Sequence, residues 1–139
     1  MEIPPRESRR KDGESEKITI NLGFVDLGQI DLLVQEGFYS NRTDFIRTAI
    51  RTQLSAHGDV LKQTAARRSL VLGLQRYTRQ DLERLRGAGE QLHIQVLGLA
   101  IIDDDVPVQL AAQTIASIAV LGALRATPEV KAALADRIH

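Results

Sequence analysis

Polar and apolar residues alternate without a break along Lys17-Ile18-Thr19-Ile20-Asn21-Leu22. A period of two predicts a strand with one buried face, so Ile18, Ile20 and Leu22 point one way and Lys17, Thr19 and Asn21 the other. The period then lengthens. Leu27, Ile30, Leu33 and Val34 recur at helical spacing, with Asp26 and Gln29 placed as a capping box and Gly37 as a left-handed stop. A second cap signal at Ser40-Asn41, with Asp44 in the first turn, opens another helix. Its apolar stripe is Phe45, Ile46, Ala49, Ile50 and Leu54, while Arg47 and Arg51 face outward. Strand, helix, helix therefore fill residues 17–54, and residues 55–66 read as a helical linker.

Residues 67–139 predict a small α/β unit in the order β-α-β-α-α. Ser69–Tyr77 alternates as a strand, Thr78 caps a short helix to about Arg86, and Gly87-Ala88-Gly89 break it. Leu92–Ile102 is a near-continuous apolar run, as in a buried strand. Residues 106–124 then read as one Ala-rich helix, with Asp103-Asp104-Asp105 and Pro107 complementing its N-terminus. Pro128 opens a last helix through about Ile138. No repeat at solenoid spacing stands out. The 106–124 segment is long enough for a membrane, but Gln109, Gln113, Thr114 and Ser117 dilute it and Ala drives insertion weakly. No membrane association is expected. Its small residues, Ala112, Ala116, Ala119, Gly122 and Ala123, suit close helix approach between chains instead.

The 17–54 segment has a physical deficit. Its one strand has no partner for its backbone N–H and C=O groups, and two helices with half a strand bury too little to stand alone. Both problems vanish if two copies pair their strands antiparallel about a two-fold axis. Ile18, Ile20 and Leu22 then enter a shared core with Phe38, Phe45, Ile46 and Ile50. Lys17, Thr19 and Asn21 of both chains line the free face of a ribbon that fits a DNA major groove. The N-terminus of the second helix, with its unpaired amides and dipole, suits a phosphate.

Charge alone does not point to nucleic acid. The 139 residues carry 18 Lys/Arg against 18 Asp/Glu, so DNA binding must rest on local geometry. Residues 1–16, with two prolines and mixed charge, read as a flexible arm whose Arg9-Arg10-Lys11 run is hemmed in by acids. Cys is absent, which removes disulfides and thiolate chemistry and fits a reducing, cytoplasmic setting.

Residues 17–54 resemble a ribbon–helix–helix DNA-binding domain of the MetJ/Arc/CopG type. KITIN matches the ribbon, EGFY the close of the first helix, and SNRTDFIRTAI the opening of the second. The resemblance implies a homodimer that reads bases through Lys17, Thr19 and Asn21. It also implies phosphate contacts at Ser40, Asn41, Arg42 and Thr43. An Arg or Lys, Thr, Thr pattern is common at the ribbon positions. Asn21 departs from it, which leaves the operator sequence open.

The added C-terminal half is similar in layout to the nickel-responsive repressors, on its β-α-β order and on LHIQ at Leu92–Gln95. The metal pattern does not carry over: His57, His93 and His139 are scattered, and a square-planar site needs converging N/S donors. No metal and no cofactor are expected, and His93 reads as a strand residue with a satisfied ring. No nucleophile–base pair or phosphate-cradling loop gives catalysis a seat. The reading is an α+β, non-enzymatic transcriptional regulator, a repressor on double-stranded operator DNA. It acts as a homodimer, or as a tetramer joined through residues 67–139, and a small ligand for that half stays open. Two alternatives remain: an antitoxin that binds a toxin and represses its own promoter, and an architectural DNA-binding scaffold.

Overall fold

The computed structural model describes residues 14–139. The expected arm falls largely outside the described residues, and the Arg9-Arg10-Lys11 run wholly so. The described chain divides into two compact units that meet at Val60–Leu61.

The first unit holds two helices, α1 (Phe24–Gln35) and α2 (Arg42–Ala56). The first begins earlier than expected. Gly23 is its N-cap, and Asp26 lies inside the first turn, where its charge complements the dipole without a side-chain cap bond. Its end follows expectation: Gly37 takes φ +85°, the Phe38 amide donates to the Leu33 carbonyl, and the Gly37 amide donates to that of Val34. Ahead of α1, residues 17–22 form no strand in the single chain. A strand exists only against a partner strand, and the described residues of this unit contain no other.

The second unit opens within α3 (Gly58–Arg67) and continues as β1 (Val71–Tyr77), α4 (Arg79–Gly87), β2 (Leu92–Ile102), α5 (Val108–Thr114), β3 (Ile115–Arg125) and α6 (Pro128–Ala133). The three strands form one parallel sheet in chain order, with α4 and α5 as crossovers. Alternate residues of β2, namely Ile94, Val96, Ala100 and Ile102, are buried together with Leu82 of α4, Leu110 of α5 and Val130 of α6. The helices thus cover one face of the sheet.

Two expectations need correction here. The 106–124 helix does not exist: α5 stops at Thr114, and the rest is β3. The unit therefore runs β-α-β-α-β-α rather than β-α-β-α-α. Ile118, Val120 and Leu124 alternate with Ser117, Ala119 and Leu121, and pairing with β2 overrides the helix preference of the alanines. Arg137 secures the break, since its guanidinium donates at 2.7 Å to the carbonyls of both Ala112 and Ile115. The Ala112, Ala116, Ala119, Gly122, Ala123 stripe is thereby split between two elements. Nor do the three aspartates cap α5 through a side chain. Pro107 is the N-cap, and Asp103 instead takes a two-pronged bond from Arg76 at 2.7 and 3.2 Å, tying β1 to the end of β2. No helix of the described residues is long and apolar enough to cross a membrane.

The sheet register exposes a repeat hidden from the sequence reading. Val71-Leu72-Gly73, Val96-Leu97-Gly98 and Val120-Leu121-Gly122 lie side by side, at a spacing of about 25 residues that suits stacked strand–helix units. Later in each repeat Leu85, Leu110 and Leu134 join the same core. The glycines share an unusual conformation, with φ of +120°, +142° and +119°. A Cβ on Gly98 would sit 2.3 Å from the Gly73 carbonyl oxygen, and one on Gly122 would sit 2.0 Å from that of Gly98. Only glycine permits this row.

The row makes a graded prediction. Gly73→Ala meets no neighbouring atom within 4 Å and suffers backbone strain alone, costing about 1–3 kcal/mol. Gly98→Ala and Gly122→Ala add a backbone collision and should each cost about 3 kcal/mol or more. Urea unfolding of the three variants checks the order, and equal costs would contradict it.

Candidate nucleic-acid interface

Lys17, Thr19 and Asn21 all lie in solvent in the single chain. Their apolar neighbours are in solvent too: Ile18 is 71% exposed and Ile20 62%. Leu22 and Phe38 are likewise exposed, Ile50 is half-exposed, and Phe45 and Ile46 are partly covered. Phe45 rests edge-on against Tyr39, ring centres 5.0 Å apart. Ile30 alone is buried among the described residues of this unit. Two helices with one buried side chain have no core of their own.

The start of α2 is a compact polar knot. Asn41 is the N-cap, its Oδ1 accepting from the Asp44 amide at 2.8 Å, and the Ser40 amide donates back to Asp44 Oδ2 at 2.9 Å. Arg42 leans across to α1, donating from Nε to Asp31 Oδ1 and from Nη2 to Oδ2, both at 2.8 Å. Hydrogen bonding from Arg42 holds the Asp31 carboxyl below the usual carboxylate range, and the same bond raises the Arg42 guanidinium. The bridge is therefore present at neutral pH and is lost as acid carries Asp31 through its lowered pKa. In the open it adds little stability. Its consequence is for charge, because Asp31 neutralises the Arg42 guanidinium at this helix terminus.

Ser40, Asn41, Arg42 and Thr43 thus share one turn, but not as four equal donors. Asp44 already occupies the Ser40 amide, and Asp31 occupies the Arg42 side chain. Sequence reasoning saw Asp44 as a first-turn acid and missed Asp31 altogether. The two bridge partners lie eleven positions apart, and only the packing of α1 on α2 brings them together. In the other unit, His93 Nδ1 meets Ser117 Oγ on the neighbouring strand at 2.7 Å. Its ring is satisfied as expected.

A family model described as the Ribbon-Helix-Helix transcriptional regulator family matches residues 13–131. The chain belongs to this family. The match spans the helix pair and most of the α/β unit, so it covers far more than the DNA-binding segment. No curated protein and no solved structure matches the chain. The regulators of this ribbon–helix–helix family bind DNA and oligomerise.

Breaking the Asp31–Arg42 bridge should release a cation to the DNA backbone. Asp31→Asn is expected to raise affinity and to steepen the slope of log K against log salt by about 0.9, the value for one added phosphate contact. Fluorescence anisotropy across a salt series reads this directly, and an unchanged slope would mean that Arg42 does not reach phosphate.

Proposed function

We propose that this regulator is a homodimeric repressor that inserts a two-stranded antiparallel ribbon, built from residues 17–22 of both chains, into the major groove of its operator. The observation that carries the reading is the alternating segment 17–22, exposed on both sides and standing ahead of a capped helix pair in a chain of this family. Pairing two such segments satisfies their backbone groups and buries Ile18, Ile20 and Leu22 against the α1–α2 pairs. Phe38, Phe45, Ile46 and Ile50 complete that shared core.

Lys17, Thr19 and Asn21 then meet base edges. Lys reaches guanine O6/N7, Asn pairs with adenine N6/N7, and Thr donates, accepts or meets a thymine methyl. The α2 N-terminus of each chain clamps the flanking phosphates through the backbone amides of Arg42 and Thr43, with Ser40 and Asn41 shaping the turn. The Arg42 side chain contributes to the extent that phosphate displaces Asp31. Lys17 is the only charge on the ribbon face, which favours sequence reading over the indiscriminate grip of an architectural scaffold. A folded α/β unit in place of a short polar tail favours a regulator over an antitoxin.

Thr19→Ala and Asn21→Ala should each weaken binding to the cognate site by about 1–3 kcal/mol and change binding to random DNA far less. Chromatin immunoprecipitation with sequencing supplies the cognate site, and competition titrations supply the ratio. Equal losses on both DNAs would reject base reading by the ribbon.

A further inference from the structure

The middle strand of the sheet has a neighbour on each side, and the outer two carry the same Val-Leu-Gly residues with a neighbour on one side only. Val96 of β2 is fully buried, whereas Val71, its counterpart on β1, is 48% exposed. Neither end of the sheet is finished as a cap. Val71-Leu72-Gly73-Leu74 and Val120-Leu121-Gly122-Ala123 hold no charge and no proline, where natural sheet edges and terminal repeats are ordinarily polar. We propose that the two ends fit each other: the β3 edge of one copy takes the β1 edge of a second copy, parallel and head to tail, with Val71 beside Val120.

The glycine row selects that partner and that register. Within the chain, the space where a Gly98 Cβ would stand holds the Gly73 carbonyl, and the matching space at Gly122 holds the Gly98 carbonyl. Each glycine thus accepts the carbonyl of the strand before it. At Gly73, with φ +120°, the same space meets no atom within 4 Å, and the Gly122 carbonyl belongs to the last strand of the row. One complements the other in the Val71–Val120 register. The rest of both edges agrees. Ile138 bridges Ile118 and the His139 amide donates to the Ile118 carbonyl, both short of Val120, so the edge from Val120 to Arg125 is clear among the described residues. The incoming strand starts where that contact ends, because the Leu70 amide folds back to the Ala65 carbonyl after Ser69 at φ +56°. Arg125 comes beside the incoming Arg76, which its own Asp103 already holds in a two-pronged bridge, and Asp104 and Asp105 line the same cavity as both arginines in each chain. No bare pair of like charges forms. Each copy offers one edge of each kind, so the link repeats and needs no ribbon dimer. Copies joined this way occupy neighbouring DNA sites with the gain of effective concentration.

The chain has no native cysteine, which makes the test clean. Leu72→Cys and Leu121→Cys, both at exposed positions, are made as two separate full-length proteins. In the proposed register, positions 72 and 121 of two copies are strand neighbours about 5 Å apart, within disulfide reach. Copper-catalysed oxidation should therefore link a mixture of L72C and L121C, and neither protein alone. A mixture of L72C with E83C, whose cysteine stands on α4, gives the collision background. Within one chain β2 separates positions 72 and 121 by about 10 Å, too far for an internal bridge, so a protein carrying both cysteines should give a series of linked species beyond two chains. Gly73→Ala, whose Cβ meets no atom of its own chain within 4 Å, should abolish the linkage while circular dichroism shows the fold retained. If G73A unfolds, the mixture against the single proteins still decides. Linkage in the mixture no faster than the collision background overturns the proposal. So does equal linkage of L72C or L121C alone, the mark of a symmetric contact, and so does a folded G73A protein that links as before. Sedimentation velocity reads the ribbon dimer separately: a dimer without mixed linkage keeps the ribbon and rejects the joined edges, and mixed linkage in I20K does the reverse.

Discussion

Ile18, Ile20 and Leu22 lie in water in the single chain, on a segment whose backbone has no neighbouring strand among the described residues. That exposure is the constraint on which the rest of the molecule turns. Two helices with one buried residue between them gain too little from apolar burial to offset the entropy of ordering some 40 residues. The local signals are nevertheless strong: a Schellman stop at Gly37, an Asn41 cap, and a two-pronged Asp31–Arg42 bridge between the helices. These fix the shape of the helix pair without supplying its stability. In the proposed dimer that stability comes from a second chain, and the ribbon is the geometry that satisfies the backbone and the apolar face in one step.

The α/β unit meets the opposite condition. It has a core of its own, drawn from one face of the sheet and three helices, and it leaves the other face bare. The row of Gly73, Gly98 and Gly122 makes the sheet possible, because carbonyls of adjacent strands lie where side chains would begin. DNA binding at zero net charge then depends on where few charges sit: Lys17 on the ribbon, Arg42 held in check by Asp31, and backbone amides at a helix terminus.

The helix pair of the N-terminal unit was legible because its signals are local. The stop at Gly37 and the cap at Asn41 need only a few neighbouring residues to be recognised, whereas the strand expected from the alternation at 17–22 does not form in the single chain. Asp26 misled because an acid in the first turn looks the same in sequence whether it caps the helix or complements its dipole. In the C-terminal unit, β1, α4 and β2 were legible for the same local reasons. Residues 115–125 were not: Ala-rich composition favours a helix, and the choice of strand depends on pairing with β2, a contact without a local signature. The Val-Leu-Gly repeat was equally well hidden. Its three copies agree at only a few positions, and Asp103-Asp104-Asp105 lengthen one turn. At the candidate site, the cap at Asn41 was legible, whereas Asp31 was not, because its partner is fixed by helix packing.

Folding that depends on a second chain has a direct thermodynamic signature. Urea unfolding of the full-length protein, followed by circular dichroism over a hundredfold range of protein concentration, tests it most simply. If the helix pair folds only on pairing, its midpoint moves to higher urea as protein concentration rises, and Ile20→Lys, which buries an unpaired charge at the two-fold core, removes that helical signal. A midpoint independent of concentration, with α1 and α2 intact in a chain that sediments as a monomer, would contradict the claim that this unit is completed by its own copy.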